Sequence, residues 1–237
     1  MKNAKIITDV TVPEKIRNAV TEVSIPFGIE SIGDGAFYNC TSLKSIIIPD
    51  SVENIGDNVF DGCTSLKSIT IPDSVENIGN YVFFNCKSLN NITIPDLVKN
   101  IRNCVFARCI SLENITIPDS VESIGDRAFE YCRSLESITI PDSVKSIGYY
   151  AFGKCTSLEN IIIPDSVESI GDYAFCDCKS LNSIIIPDSV KSIGHDAFAD
   201  CKSLKEVIFK GKTIDQVKTM YNYPWGIKDT SVIRCES

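Results

Sequence analysis

One histidine, one tryptophan and two methionines in 237 residues leave little material for several kinds of chemistry. A lone imidazole, His195, assembles no Ser-His-Asp set and no two-histidine metal helix, and no Gly-rich run is present to cradle phosphates. Catalysis is therefore not expected, and no cofactor is implied. Cations are also in short supply. With 23 Lys and Arg against 31 Asp and Glu, the net charge is −8, which argues against nucleic acid and anionic membrane surfaces, since both recruit basic patches. No apolar run approaches the ~20 residues of a membrane span, so membrane insertion is not expected. The opening residues lack a secretory apolar stretch of roughly 7 to 15 residues, which by itself points to the cytoplasm. Linkers and low-complexity tracts are missing as well, so nothing divides the chain into separate globules.

What is present is repetition. The stretch from Ile138 to Asn160, ITIPDSVKSIGYYAFGKCTSLEN, returns every 23 residues, in copies opened by Val23, Ile46, Ile69, Ile92, Ile115, Ile138, Ile161 and Ile184. A fixed period of this length marks a solenoid, in which each copy is one coil that buries its apolar faces against its neighbours. The expected layout is an N-terminal cap over 1–22, eight coils over 23–205 and a C-terminal cap over 206–237.

Within a coil, Leu135, Ile138 and Ile140 have the spacing of a short strand with apolar residues inward. Pro141 ends it for want of an N–H, and Asp142 with Ser143 forms a corner. Val144 and Ile147 return to the core, and Gly148 marks a turn expected to need an unusual backbone angle. Ala151, Phe152 and Cys155 share an inward face if this run is one helical turn. Stacking predicts one long parallel sheet on one side and, on the other, a column of Phe37, Phe60, Phe83, Phe106, Phe129, Phe152, Phe175 and Phe198. The fourth coil departs from the pattern, with Leu97 for the corner serine and Arg102 for the turn glycine, and is expected to be distorted.

The ends break the period. Ile6 to Val12 reads as a strand, and Thr11-Val12-Pro13-Glu14 as a capping box opening a helix to about Val20. After Lys205, a strand over Glu206–Phe209 is followed by a second capping box, Thr213-Ile214-Asp215-Gln216, and a helix to about Tyr221. Trp225 is expected to plug the last coil, and Ser231–Arg234 to add a final strand.

The motif Ile-Pro-Asp-Ser-Val-x-x-Ile-Gly-x-x-Ala-Phe-x-x-Cys-x-Ser-Leu, as in Ile163 to Leu181, resembles the 23-residue leucine-rich repeat of the BspA-like, or Treponema pallidum-type, family. The resemblance implies an α/β solenoid, a right-handed superhelix with a parallel sheet on one side and short helical turns on the other. It also implies a secreted or cell-surface location and a binding role. No binding residue carries over from it.

Eight of the 11 cysteines occupy one column: Cys40, Cys63, Cys86, Cys109, Cys132, Cys155, Cys178 and Cys201. A ladder of buried reduced thiols is the simplest account, with disulfides and metal as alternatives, because the interval gives no close Cys pair for zinc and parallel side chains are poorly aimed for bridging. Cys104 and Cys176 fall in columns expected to face solvent. His195 stands in a column that otherwise holds Asp and Asn, with Tyr149 as one exception, and that reads as a helix N-cap, which makes it a surface substitution. The column from Asp50 to Asp188 reads as Asx turns, with a calcium stripe as the alternative.

A binding surface remains. Strand alternation turns Ser24, Ile47, Thr70, Thr93, Thr116, Thr139, Ile162, Ile185 and Ile208 outward, an uncharged, hydroxyl-rich face with isoleucines at its C-terminal end. Such a face suits a protein partner, although Thr and Ile also simply favour strands. A second set, Tyr81, Phe84, Tyr131, Tyr149, Tyr150 and Tyr173, lies on the opposite side. The expected function is a non-enzymatic protein-binding module, adhesin-like by resemblance, from a monomer or a weakly self-associating chain. A structural or self-assembling scaffold is the alternative.

Overall fold

The computed structural model of the chain describes residues 12–236. The chain winds into a parallel-strand solenoid of about nine turns with little helix. Each coil, numbered here from the copy opened by Val23, supplies three walls. A first strand such as Ser137–Thr139 or Asn160–Ile162 builds the first wall, a two-residue strand such as Ser146–Ile147 or Ser169–Ile170 the second, and the Ala-Phe-x-x-Cys run the third. Neighbours pair in step with the repeat, Ile138 with Ile161, Ile161 with Ile184 and Ile147 with Ile170. A slip of one residue would turn every isoleucine outward, so the apolar pattern holds this register.

The first wall is not one unbroken sheet. Glu22–Ser24 pairs with Ser45–Ile47 and Asn91–Thr93 with Asn114–Thr116, while five strands run from Ser137–Thr139 to Ile233–Glu236. Coil 3 joins only by a single bridge from Ser68 to Asn91. Strands of three residues cut off by proline offer so few ladder bonds that a small drift ends the pairing.

The third wall is not helical either. Gly153 N–H donates to Tyr150 O within its own coil at 2.9 Å, but Tyr150, Phe152 and Lys154 donate to Asp172, Ala174 and Cys176 of the next coil at 2.9, 2.8 and 2.7 Å. A helical turn would keep its donors inside the coil. Here every second donor crosses to the neighbour, and two residues per coil adopt left-handed backbone to aim them, among them Arg127 (φ 56°), Tyr150 (φ 53°), Tyr131 (φ 64°) and Lys154 (φ 63°). Each such residue costs roughly 1–2 kcal/mol, which the crossing bonds offset.

The turn glycines answer a different need from the one expected. Gly148 has no left-handed φ; instead, a Cβ there would lie 2.6 Å from Gly125 C and 2.7 Å from Asp126 N. Glycine is required because the neighbouring coil's backbone passes where a side chain would start. The Asp and Asn column beside it does not cap helices. Asp34 Oδ1 accepts from Asp57 N–H at 2.8 Å, Asp57 Oδ1 from Asn80 N–H at 2.7 Å and Asp126 Oδ1 from Tyr149 N–H at 2.9 Å, so each side chain holds the next coil. At the corner the serine makes the bond: Ser143 and Ser166 hydroxyls donate to Val121 O and Val144 O at 2.6 and 2.7 Å.

Coils 3 and 4 meet where these devices fail. The second-wall strand Asn100–Ile101 pairs with Ser123–Ile124 but not with Asn77–Ile78. Gly79 N–H and Gly125 N–H reach Ile55 O and Ile101 O at 2.8 Å, whereas among the described residues no such bond joins Arg102 N–H to coil 3. The Arg102 Cβ stands where the neighbour's backbone should pass, and Leu97 has no hydroxyl for Val75 O. The coils part into a cleft of about 410 Å³ lined by Glu76, Ile78, Leu97, Lys99 and Arg102.

The phenylalanines form one buried stack, with centroids from 5.2 Å (Phe129–Phe152) to 5.7 Å (Phe175–Phe198) apart and planes within 12°. Centroid distances above the strand spacing of about 4.8 Å mean the rings are slid past one another, the offset that aromatic quadrupoles prefer. Beside them the thiols form a second ladder, Cys155 Sγ donating to Phe129 O and Cys178 Sγ to Phe152 O, both at 3.1 Å. All 11 cysteines are free thiols. Cys104 does not face solvent: it is 5% exposed, between Tyr81 and Arg127 of the adjoining coils.

At the N-terminal end, the expected strand and the capping Thr11 fall outside the described residues, apart from Val12, whose N–H donates to Ala36 O at 3.0 Å. The helix shrinks to a 3-10 turn, Glu14–Ile16, entered from Pro13 without a side-chain cap. At the C-terminal end, Thr213 and Gln216 cap the helix Ile214–Thr219 reciprocally. The last strand is Ile233–Glu236, shifted by two residues from expectation, and pairs with Glu206–Lys210. Trp225 is fully buried against Phe209 at 5.4 Å, and its carbonyl accepts from Phe198 N–H at 3.0 Å where a further coil would have done so.

Phe129→Ala is expected to lower stability by about 3–5 kcal/mol in urea unfolding, as large core truncations do. Leu97→Ser with Arg102→Gly is expected to restore the missing contacts, raise stability by about 2 kcal/mol and slow exchange of the amide at position 102. Burial pushes the Cys155 and Cys201 thiols up to about 12. An acid with a raised folded pKa contributes stability below its unfolded value and loses it above, so unfolding free energy should fall as pH rises from about 9 towards 12. Replacing Cys155 and Cys201 with Ala should make that fall shallower, while the other buried thiols, also raised by burial, keep part of it.

Candidate binding face

The first-wall strands alternate inward isoleucine with outward side chains, which places the expected face on the surface. Ile47, Ile162 and Ile185 are 66%, 75% and 44% exposed, and Ser24, Thr70, Thr93, Thr116 and Thr139 are exposed between and beside them. Ile208 differs. It is half-buried, because the terminal strand adds Arg234 directly beside it in register. Around Ile162 and Ile185 lies a shallow hollow of about 630 Å³, edged by Asp165, Asp188 and Lys210. Lys212 Nζ closes one side by reaching Asp188 Oδ1 at 2.7 Å. Asn114 Nδ2 donates to Asn91 Oδ1 at 3.2 Å along the rim.

The face is continuous only in part. From Ser137–Thr139 onward the strands are joined without a gap, so Thr139, Ile162 and Ile185 sit on one rigid surface, whereas Ile47 and Thr70 lie across breaks in the pairing.

Other singled-out groups are accounted for structurally. His195 N–H donates to Asp172 Oδ1 at 2.7 Å, and as the last member of that column its own side chain holds no further coil. Its Nδ1 lies 3.2 Å from Asp196 Oδ2 at an exposed position. The carboxylates from Asp50 to Asp188 are exposed, and no Asx-turn bond forms at them; corner serines such as Ser74 and Ser143 bond instead, while the buried Ser189 hydroxyl has no partner among the described residues. Among the described residues, no group of three or more His, Cys, Asp or Glu is placed to hold a metal ion. No described helix is long and apolar enough to cross a membrane.

The third wall carries the aromatic set with more order than its spacing implied. Tyr150 and Tyr173 stack at 4.9 Å, and the Tyr150 ring lies where a Cβ on Gly153 would otherwise be, 2.3 Å from its Cδ1. Cations missed in the sequence reading accompany these rings: Arg108, Arg127, Arg133 and Lys154. Aligning the copies exposes the signal, since Arg108, Tyr131 and Lys154 stand one period apart in a single column.

A family model described as the BspA type leucine rich repeat region matches six copies, over residues 14–136 and 122–223. Among solved structures, the chain is similar to a leucine rich cell surface protein from Faecalibacterium prausnitzii A2-165, at 34% identity and TM-score 0.61, over 81% of this chain and 62% of that one. It is likewise similar to the T. pallidum leucine rich repeat protein TpLRR, at 32% identity and TM-score 0.56, over 77% of each chain. A leucine-rich repeat protein from Eubacterium ventriosum ATCC 27560 matches at 25% identity and TM-score 0.53, over 84% of this chain and 62% of that one. This chain therefore spans less than two thirds of the Faecalibacterium and Eubacterium proteins. No curated protein matches it. With a period, a coil geometry and a family match that together run through nearly all of its length, the chain belongs to the BspA-type leucine-rich repeat family.

Proposed function

We propose that this chain is an adhesin-like, cell-surface protein-binding module that docks a protein partner on the outward side of its first wall, through Ile47, Thr70, Thr93, Thr116, Thr139, Ile162, Ile185 and Ile208. In this proposal residues 1–22 and 206–237 cap the eight coils of 23–205, and the module acts as a monomer. Leucine-rich repeat proteins of this kind are generally non-enzymatic binding scaffolds, and the cell-surface description of the Faecalibacterium relative supports the location.

The observation that carries the proposal is the choice between Ile and Thr in one column. Both are β-branched and serve a strand equally well, and Thr occupies this column in coils 3 to 6. Placing Ile162 and Ile185 there instead leaves large apolar side chains in water, forgoing about 1.5–3 kcal/mol each that burial would return. The scaffold gains nothing from that exposure, whereas a partner covering the pair does. The joined strands beneath them make the patch rigid, which lowers the ordering cost of docking.

Ile162→Lys with Ile185→Lys is expected to weaken binding to the recognised protein by more than tenfold without moving the melting temperature. A panel of purified extracellular-matrix and serum proteins, read by surface plasmon resonance, supplies the partner. Equal binding by parent and variant would reject the face, and a mass in light scattering that grows with concentration would favour a self-assembling scaffold.

A further inference from the structure

On coils 4 to 6, the third wall holds four cations: Arg108, Arg127, Arg133 and Lys154. Its stretches 103–110, 126–133 and 149–156 contain only two carboxylates, Asp126 and Glu130, in a chain whose acidic residues outnumber its basic ones by 31 to 23. Both carboxylates are engaged. Asp126 Oδ1 accepts from Tyr149 N–H at 2.9 Å, and Glu130 Oε2 lies 3.7 Å from Arg127 Nη1. Arg108, Arg133 and Lys154 form no ion pair among the described residues.

These cations are held, not loose. Tyr131 is surrounded by three of them, with Arg108 Cζ at 5.5 Å, Arg133 Cζ at 5.3 Å and Lys154 Nζ at 4.6 Å from its ring centroid. The Tyr131 hydroxyl accepts from Lys154 Nζ at 2.7 Å, and Arg108 also lies over Phe84 at 5.6 Å. Arg127 sits over Tyr149 and Tyr150 at 5.3 and 5.7 Å. Three like charges around one ring repel one another, and cation–π attraction of about 0.5–1 kcal/mol per exposed pair only partly compensates. An anion bridging them would relieve that repulsion.

The wall also restricts the class of anion. An extended peptide cannot add a strand here, because the backbone donors already cross between coils: Phe106 to Ala128, Phe129 to Ala151 and Tyr131 to Gly153, at 2.8, 2.8 and 2.9 Å. Between the rings the floor is one column, Ala107, Glu130 and Gly153, with the Glu130 carboxylate turned to Arg127 at 3.7 Å. What remains is an open strip of guanidinium forks and an ammonium, set at coil intervals beside the tyrosines Tyr81, Tyr149, Tyr150 and Tyr173. Forks match sulfate and carboxylate oxygens bidentately, and phenolic groups suit sugar hydroxyls.

We propose that this strip binds a linear acidic glycan carrying sulfate or carboxylate groups, independently of the protein-binding face on the first wall. Calorimetry of the full chain with a sulfated heparin hexasaccharide tests it. Binding is expected at about 50 mM NaCl and should weaken steadily with salt, as contacts that release counterions do. Arg108→Gly/Arg133→Ser/Lys154→Gly should lose at least about tenfold, and glycine suits the left-handed backbone at 108 and 154 (φ 64° and 63°). A control that removes the same charge elsewhere, Lys145→Ser/Lys191→Ser/Lys218→Ser, should change affinity less than about twofold. If the triple variant melts early, exposed Arg133→Ser alone should still cost about threefold. No binding by the parent chain, equal losses in variant and control, an unaltered Arg133→Ser, or polyglutamate binding as tightly as the hexasaccharide would each overturn the assignment.

Discussion

The structure depends on one constraint, that each coil must lie a single β spacing from the next along every wall at once. A sheet meets this on one face through its ladder; a closed coil must meet it on three. The glycine column follows, because backbone passes 2.2–2.9 Å from where a Cβ would stand. So do the Asp and Asn side chains that accept the next coil's amide, and the corner serines that donate back to the previous coil's carbonyl. The left-handed residues of the third wall are part of the same solution. They turn alternate N–H groups along the axis, so that a tight turn laces to its neighbours as a strand would. The phenylalanine and thiol ladders then fill the interior of each coil in the same register.

Columns under this constraint barely vary, and those free of it vary widely. The outward column of the first wall alternates between Thr and Ile with no effect on pairing where the strands are joined. The left-handed columns of the third wall hold Asn, Gly, Tyr, Cys, Arg, Lys and Asp, and tolerate them because the side chains leave the coil into solvent or across neighbouring rings. Recognition chemistry in such a molecule belongs to the second kind of column. A change there disturbs at most the adjacent coils, since contacts reach no further along the stack.

That division also explains what was legible beforehand. Periodicity located the inward residues, the phenylalanine stack and the thiol ladder, because these answer to burial alone. The capping box at Thr213 and Gln216 and the burial of Trp225 were readable for local reasons, one from spacing and one from the need to cover the last coil. What escaped depended on contact between copies. Gly148 looks like a turn glycine until the neighbouring backbone is in place, and Asp126 looks like a helix cap until its partner proves to be an amide of the next coil. The third wall reads as helical by apolar spacing, which records which side chains face inward and says nothing about where the N–H groups point. Cys104 appeared exposed for a similar reason, being only 5% exposed once the coils are stacked.

The junction between coils 3 and 4 shows the constraint from its other side. A single Cβ, at Arg102, is enough to unlace the second wall, yet the third wall stays bonded across the gap, with Phe83 N–H on Val105 O at 2.9 Å and Asn85 N–H on Ala107 O at 2.8 Å. At this junction one wall is therefore open while another holds, and the stack stays unbroken. The exposed Ile162 and Ile185 pair, and the cations around Tyr131, lie together on the C-terminal side of that seam, over coils whose second-wall strands are continuous from Asn100–Ile101 to Ser192–Ile193. Second-wall pairing is continuous beneath both groups, although coil 4, at the seam, itself carries Arg108, and the first wall breaks again between coils 5 and 6.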